Sequence, residues 1–300
     1  MAANNNLFQH LSIVIPIRNM GGKLNNLFNE IKYLVAEDAQ VILVNDGSLD
    51  KTSNEIVDYI SKNKFQEKIF FVNAEFGGPG AARNLGKRKA TRNWVCFWDA
   101  DDTRNLDLMK VIIDLKFGID LIVTDFQKVN NVETLQVTQH KAISSATHDL
   151  LVNGGLWRVI FNSKFIENID FSNLSIGEDL IFLAKVLDLS PKILKISQIT
   201  YFYHIGQKSQ ITNSKFINHN ALFSLNEIFE QIETHKIKRN KFIAVVVIKL
   251  IKTALRSQRW FSFKVLIGIV HRDSLQNSIK NLILIFYGLI FMFKLKVLEK

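Results

Sequence analysis

Cysteine and proline are scarce. One Cys, Cys96, and three Pro in 300 residues exclude a disulfide framework, a multi-cysteine zinc site and a proline-rich linker. A lone thiol fits a reducing compartment. Crossing a bilayer takes about 20 consecutive apolar residues, and the run Leu282–Phe293 (LILIFYGLIFMF) has only 12. The opening MAANNNLFQH has no basic region followed by an apolar stretch, so no secretion signal is expected. There is no internal repeat, and Asn4–Asn6 is the sole low-complexity segment. Acidic residues are nearly missing from one end: 2 of 28 lie between Lys236 and Lys300, against 14 of the 38 basic residues. The net charge of +10 therefore belongs to that end, and the body before it is close to neutral. A uniformly basic domain would suggest a nucleic-acid binder. A neutral body with a basic, apolar tail suggests attachment to an anionic surface instead.

What is present is apolar bulk: 47% hydrophobic residues, 23 of them Phe, enough for a large core in one large domain or two modest ones. Leu11–Ile17, Val41–Asn45, Ile69–Asn73, Trp94–Asp99 and Asp120–Asp125 are short, nearly continuous apolar runs, as expected of parallel strands covered on both faces. Helix-length segments alternate with them, at Gly22–Ala36, Lys51–Asn63, Gly78–Ala90 and Asn105–Phe117, with Ser48 and Asp50 suited to cap the second. The order implies an α/β fold with an open, mostly parallel sheet flanked by helices, whose ligands bind beyond the carboxyl ends of the strands. Past Asn130 the alternation breaks. Thr147–Asp188 reads as mostly helical, Ile193–His204 as β-rich, and helices follow from Phe216. The expected division is residues 1–212 as the α/β domain and residues 213–300 as a helical, basic extension.

Several polar clusters fall at strand ends. FWDADD puts Asp99, Asp101 and Asp102 directly after a buried strand, and crowded carboxylates of this kind suit Mg2+ or Mn2+ shared with substrate phosphates. The plain alternative is a solvated turn with Asp102 or Thr103 capping the next helix. VNDGSLDKT places Asp46 where it can accept from a nucleobase or ribose, or simply begin a tight turn. FGGPGAARNLG is a Gly-rich loop entering a helix with Arg83 on its first turns, a phosphate-attracting pattern. Arg83 at the last position of G-x-G-x-x-G, with no ribose-binding acid following, excludes a Rossmann dinucleotide site. SIGEDL sets Glu178 and Asp179 at a helix start, where acids favour the dipole and where a general base for an incoming hydroxyl could also stand. His204, in YFYHIGQKSQIT with Lys208 and Ser209, is read as structural or as a metal or phosphate ligand. HRDSLQN (His271–Asn277) fails the kinase catalytic-loop spacing by one residue.

In this order and at these spacings, SIVIPIRN (Ser12–Asn19), VNDGSLDKT (Val44–Thr52), GGPGAARNLG (Gly77–Gly86), FWDADD (Phe97–Asp102) and GED (Gly177–Asp179) resemble a glycosyltransferase of family 2 with the GT-A fold. LWRVIFNSKFI (Leu156–Ile166) is similar to capsule and lipopolysaccharide sugar transferases of that family. The resemblance covers roughly residues 10–210. It implies inverting transfer of a sugar from a nucleotide-diphospho-sugar, usually UDP-linked, to a hydroxyl of a surface-polysaccharide or lipid-linked acceptor. It also implies Pro16, Arg18, Asp46 and Arg83 around the nucleotide, and Asp99 and Asp101 as the D-x-D for Mn2+ or Mg2+, Asp101 the more direct contact. His204 falls in the metal or diphosphate shell, and Asp179 becomes the base beside Glu178. Asn45 stands where many relatives carry a second Asp. Trp157 is read as core, or as a stacking platform for an acceptor sugar. Two other readings stay open: a nucleotidyltransferase on the same kind of metal and nucleotide site, which would release pyrophosphate, and a non-catalytic basic module binding nucleic acid through its tail. No stacking or Gly/Arg pattern in the tail supports the last.

Phe242–Ile251 and Leu282–Phe293, with Lys and Arg interspersed, fit helices lying in the headgroup region of an anionic membrane. An ordinary packed helical subdomain or a dimer contact is the alternative. The expected location is the cytoplasm, peripheral on the inner face of the cell membrane. Deleting Ser274–Lys300 is predicted to shift the protein from the membrane to the soluble fraction on cell fractionation. Unchanged partitioning would refute membrane attachment through this segment.

Overall fold

The computed structural model describes residues 7–113, 118–130, 138–139, 146–174, 176–205, 217–234, 240–255, 283 and 285–286. Leu282–Phe293, apart from three positions, His271–Asn277, most of the loop 129–145, Lys208 and Ser209 lie outside them. The chain forms two compact units. The first comprises Met1–Ala142, Gly155–Phe171 and Pro191–Gly206; the second comprises Ile143–Gly154, Ser172–Ser190 and Gln207–Lys300.

The first unit is an α/β sheet structure. After a 3-10 turn at Leu7–His10, the strands Leu11–Ile17 (β1), Gln40–Asp46 (β2), Ile69–Ala74 (β3) and Trp94–Phe97 (β4) run parallel in the order β3-β2-β1-β4. Burial on both faces explains the unbroken apolar sequences of β1, β2 and β4; β3, at the sheet edge, is not covered in this way, only Ile69 being buried. Pro16 is tolerated in this central strand because pairing with β4 ends at Val14, before the missing N–H matters. Between the strands lie Asn25–Ala36 (α1), Thr52–Asn63 (α2) and Pro79–Lys89 (α3). Helix α1 buries Leu27, Ile31, Leu34 and Val35, a stripe at helical spacing. Its Phe28 stacks on Tyr59 of α2, centroids 4.1 Å apart.

The remaining strands extend the sheet: Thr103–Arg104 (β5), Leu121–Asn130 (β6), Thr138–Gln139 (β7), Val159–Asn162 (β8) and Ile193–Ile205 (β9), with Leu106–Ile113 as α4. The path is β3-β2-β1-β4-β8-β6-β9-β5, with β7 added beside β6. Strand β8 runs antiparallel to both neighbours, while β6 and β9 are parallel. The sheet is thus mixed but mostly parallel, as expected for the α/β class.

Three expectations need correction. Thr147–Asp188 is not mostly helical: between Ala146–Asn153 (α5) and Glu178–Asp188 (α6) lies β8, whose VIF is buried between β4 and β6. Ser48 does not cap α2. Its hydroxyl is taken by Asn45 and by the Asn19 N–H, 2.9 Å away, whereas Asp50 does accept the Thr52 N–H at 3.0 Å. Neither Asp102 nor Thr103 caps α4; Asn105 does, through the Leu108 N–H at 3.1 Å.

The second unit is helical: α5, α6, Ile217–Glu233 (α7) and Lys241–Leu255 (α8). Helix α8 packs on α6 and α7 and buries every residue from Phe242 to Ile248. This run, one of the two read as membrane-facing, is therefore interior, as an all-round apolar helix must be. Among the described residues no helix is long and apolar enough to cross a membrane.

Gly86 sets how closely α3 approaches β1. A Cβ there would lie 2.2 Å from Val14 Cγ1, which real atoms cannot tolerate. In an open helix Gly→Ala gains about 1 kcal/mol; Gly86→Ala should instead destabilise by about 2 kcal/mol. A urea-unfolding midpoint reads the sign, and adding Val14→Ala should recover part of the loss.

Candidate functional site

Parallel pairing brings the carboxyl ends of β1, β2, β3 and β4 to one edge of the sheet. There β4 is prolonged by one rung, the Trp98 N–H donating to the Val14 carbonyl at 3.0 Å, before the chain turns through Asp99–Asp102. Asp102 is 1% exposed. Its Oδ2 accepts from the Tyr201 hydroxyl and its Oδ1 from the His204 N–H, both at 2.8 Å. Under the turn lies Arg104, whose side chain is 0% exposed. Its guanidinium donates to the carbonyls of Asp99 and Asp102 and to Glu30 of α1 at 2.6 Å. It also lies over the rings of Trp98 and Tyr201, 4.6 and 5.1 Å from their centroids.

Electrostatics follow from this crowding. Burial and the Asp99 charge push the Asp101 carboxyl up to about 6. Burial, then Asp99 and Asp101, push Asp102 up to about 8 against the bonds from His204 and Tyr201. Burial opposes the Arg104 charge, but Tyr201, Glu30 and Asp102 outweigh it and hold the cation. Burial also raises Tyr201, so its hydroxyl stays a donor to Asp102. His204 has its pKa lowered by burial and by Arg104; its Nε2 is 2.9 Å from Thr103 Oγ1.

Arg83, on α3, reaches Asp99 at 3.0 Å and lies over the Phe171 ring. The same helix fastens the turn after β8. Asn84 exchanges two bonds with the Phe171 backbone, and Lys87 donates to the carbonyls of Ile166, Glu167 and Ile169 and pairs with Asp170 at 2.9 Å. Pro16 lies near the end of β1 opposite Val44, and Arg18 just beyond is 52% exposed, 3.6 Å from Asp46.

Asp46 is buried and organises the Gly-rich loop. Its carboxylate accepts the N–H groups of Phe76, Gly77 and Gly78 at 2.6, 3.2 and 2.8 Å. Gly77 and Gly78 sit at φ 84 and 137, conformations that only glycine adopts without strain. The loop after β1 is held the same way by the start of α2: Met20, Gly21 and Gly22 donate to Thr52, Asp50 and Glu55.

Glu178 and Asp179 belong to the second unit, where they open α6 after Gly177 at φ 85. Asp179 Oδ1 accepts the Leu180 N–H at 2.7 Å, and Glu178 is buried.

The structure thus gathers Arg18 with Asp46, Arg83 with Asp99, and His204 with Asp102 and Thr103. Among the described residues no three His, Cys, Asp or Glu side chains converge closely enough to hold a metal by themselves. Trp157 stacks on Tyr201 and Tyr203, 4.2 and 5.4 Å between centroids, in keeping with a core role. Sequence reading missed Glu30, Arg104 and Tyr201. A cation two residues beyond three carboxylates was the signal for Arg104; nothing local marks the other two, which arrive from distant elements.

Comparison with known proteins places this geometry. The family model for Glycosyl transferase family 2 matches residues 12–177. An uncharacterized glycosyltransferase of Haemophilus influenzae is 27% identical over 228 residues, covering 74% of this chain and 88% of that protein. GgaB of Bacillus subtilis, a minor teichoic acid biosynthesis protein, is 24% identical over 266 residues, covering 81% of this chain and 29% of GgaB. TarS of Staphylococcus aureus, a poly(ribitol-phosphate) beta-N-acetylglucosaminyltransferase, is 23% identical over 220 residues, 69% of this chain and 37% of TarS. The chain thus spans most of the first relative but only about a third of the other two. The crystal structure of TarS residues 1–349 with UDP-GlcNAc has the same fold, with a TM-score of 0.57 at 18% identity over 89% of this chain and 77% of that one. Motif order, the GT-A sheet and a family match over more than half its length agree: the chain belongs to glycosyl transferase family 2.

Proposed function

We propose that the protein transfers a sugar from a UDP-sugar to a hydroxyl of a cell-surface glycan or lipid-linked precursor, with inversion at the anomeric carbon. The observation that carries this reading is the acidic turn Asp99–Asp102, held over a buried arginine at the edge where four parallel strands end. TarS binds UDP-GlcNAc and GgaB belongs to teichoic acid synthesis, which supports a UDP-sugar donor and a wall-polymer acceptor. The catalytic part is residues 1–212, and residues 213–300 form its helical extension.

In this reading Pro16, Arg18 and the loop shaped by Asp46 line the nucleotide, and Arg83 stands beside its phosphates. The site is suited to a divalent cation. Burial and the Asp99 charge already raise Asp101, so a cation would relieve the repulsion, and a hard metal needs only one or two carboxylates when diphosphate oxygens complete its shell. Asp99 and Asp101 would hold Mn2+ or Mg2+, with His204 in the metal or diphosphate shell. Such an ion supplies stabilisation of the charge on the departing nucleoside diphosphate. Asp179 takes the proton of the acceptor hydroxyl as its oxygen bonds to the anomeric carbon. The bond to the diphosphate breaks and takes its electrons with it. Glu178 orients the base, and a single displacement needs no enzyme nucleophile.

The basic C-terminal end is proposed to rest on an anionic membrane surface at the cytoplasmic face. Ile283 and Phe286, described residues of its apolar run, are solvent-exposed.

Two measurements test the function. Incubation with a panel of UDP-sugars and Mn2+ should release UDP from one of them, and chelation should stop it; no UDP from any donor overturns the reading. Asp179→Asn should lower kcat by about 1,000-fold while calorimetric affinity for the donor stays near wild type. Equal loss of both would make that carboxylate structural.

A further inference from the structure

Helix α8 carries one charge in an otherwise apolar row. From Phe242 to Leu250 the sequence is FIAVVVIKL, and every member but Lys249 is fully buried. Lys241 before it and Lys252 after it are exposed. An ammonium set among such side chains is costly unless a carboxylate faces it. The neighbouring residue shows what α8 faces. Leu250 Cδ2 lies 3.4 Å from the position a Gly177 Cβ would take, so α8 abuts the turn from which Glu178 and Asp179 open α6.

We propose that Lys249 is a positioning residue for the Asp179 carboxylate, its ammonium holding that group ionised and fixed in direction. The inference rests on the reading of Asp179 as the base. Burial pulls the Lys249 ammonium down to about 8, the Asp179 charge acts upward and Lys252 downward. Lys249 is therefore still mostly cationic at neutral pH. Among the described side chains, the other ionisable groups on the helices packed here are Glu178, Lys185 and Asp188 on α6, Glu227 and Glu230 on α7, and Asp149 on α5. Lys185 is bonded to Ser172 at 3.2 Å, and Glu227 is raised by burial and Glu230. One oxygen of Asp179 is already held by the Leu180 N–H. A cation on the carboxylate adds a second constraint and keeps it ionised, at some cost in basicity.

The test uses the full chain with Lys249→Met, Lys249→Arg and Asp179→Asn. In carbon-13 lysine NMR, one lysine should titrate near pH 8, be missing from Lys249→Met, and move to lower pH in Asp179→Asn, because the carboxylate raises it. A titration unmoved by Asp179→Asn overturns the pairing, whatever the enzyme's activity. In the pH dependence of kcat for the UDP-sugar the wild type consumes, Lys249→Met should move the acid limb up by about one unit, a loss of about 10-fold below it. The donor KM should be unchanged, and Lys249→Arg should restore the limb. An unmoved limb in Lys249→Met overturns the positioning role. If Asp179→Asn keeps transfer, the base reading falls instead, and the lysine titration alone decides the pair.

Discussion

Three carboxylates within four residues cannot be folded into a strand end without a counter-charge, and in this protein Arg104 supplies it from beneath. Its bonds to the carbonyls of Asp99 and Asp102 fix the backbone of the turn, and its bond to Glu30 ties that turn to α1. The pairing of β5 with β9 sets Arg104 opposite Tyr201, so the residue that donates to Asp102 is delivered by the same contact. A buried ion pair is worth retaining when further hydrogen bonds satisfy both partners. Here the two terminal guanidinium nitrogens have such partners, and two aromatic rings cover the remaining faces. The geometry of the acidic turn is thus decided by α1 and β9 as much as by the residues of the turn.

The loops around that turn are held by side-chain acceptors rather than by ladders. Asp46 gathers three successive N–H groups of the Gly-rich loop, and Thr52, Asp50 and Glu55 take those of the loop after β1. A carboxylate has about four acceptor positions, so Asp46 is largely spent on shape, and the exposed Arg18 beside it is the group with reach. Loops fixed this way lose little further freedom when a ligand arrives, which keeps reacting groups in register. Asn45 fits the same scheme. It donates to Asn73 at 2.7 Å across to β3 and takes the Ser48 hydroxyl, work that an amide does and that a second carboxylate beside Asp46 would do only against repulsion.

Much of the sheet was legible in the sequence because buried parallel strands write themselves as unbroken apolar runs. The β1 boundaries, Leu11–Ile17, are those of the apolar run. Strand β8 was not legible. Its four residues follow a 3-10 turn at Leu156–Arg158 and precede a string of turns, and their apolar character is as good for a helix as for a strand. Only the gap between β4 and β6 decides. The site was legible in its carboxylates and glycines, which are local signals. What holds them, Glu30, Tyr201 and the three N–H groups on Asp46, lies 30 to 102 residues away in sequence, and no local pattern announces a partner at that range.

In the proposed reaction, the acids at the strand edge and the proposed base at the start of α6 are paired with different kinds of cation, a guanidinium and, as proposed, an ammonium. On the strand edge the counter-charge is a guanidinium, which does not release its proton in any ordinary pH range. The charge under Asp99–Asp102 is accordingly constant over the ordinary pH range, which suits the role proposed for that turn. Lys249 of α8, proposed to face Asp179, carries an ammonium that burial weakens and the Asp179 charge supports. A base has to gain and lose a proton in each cycle, and any cation beside it, Lys or Arg, trades some basicity for a fixed direction. In the proposed pair a partly buried lysine would steady the carboxylate.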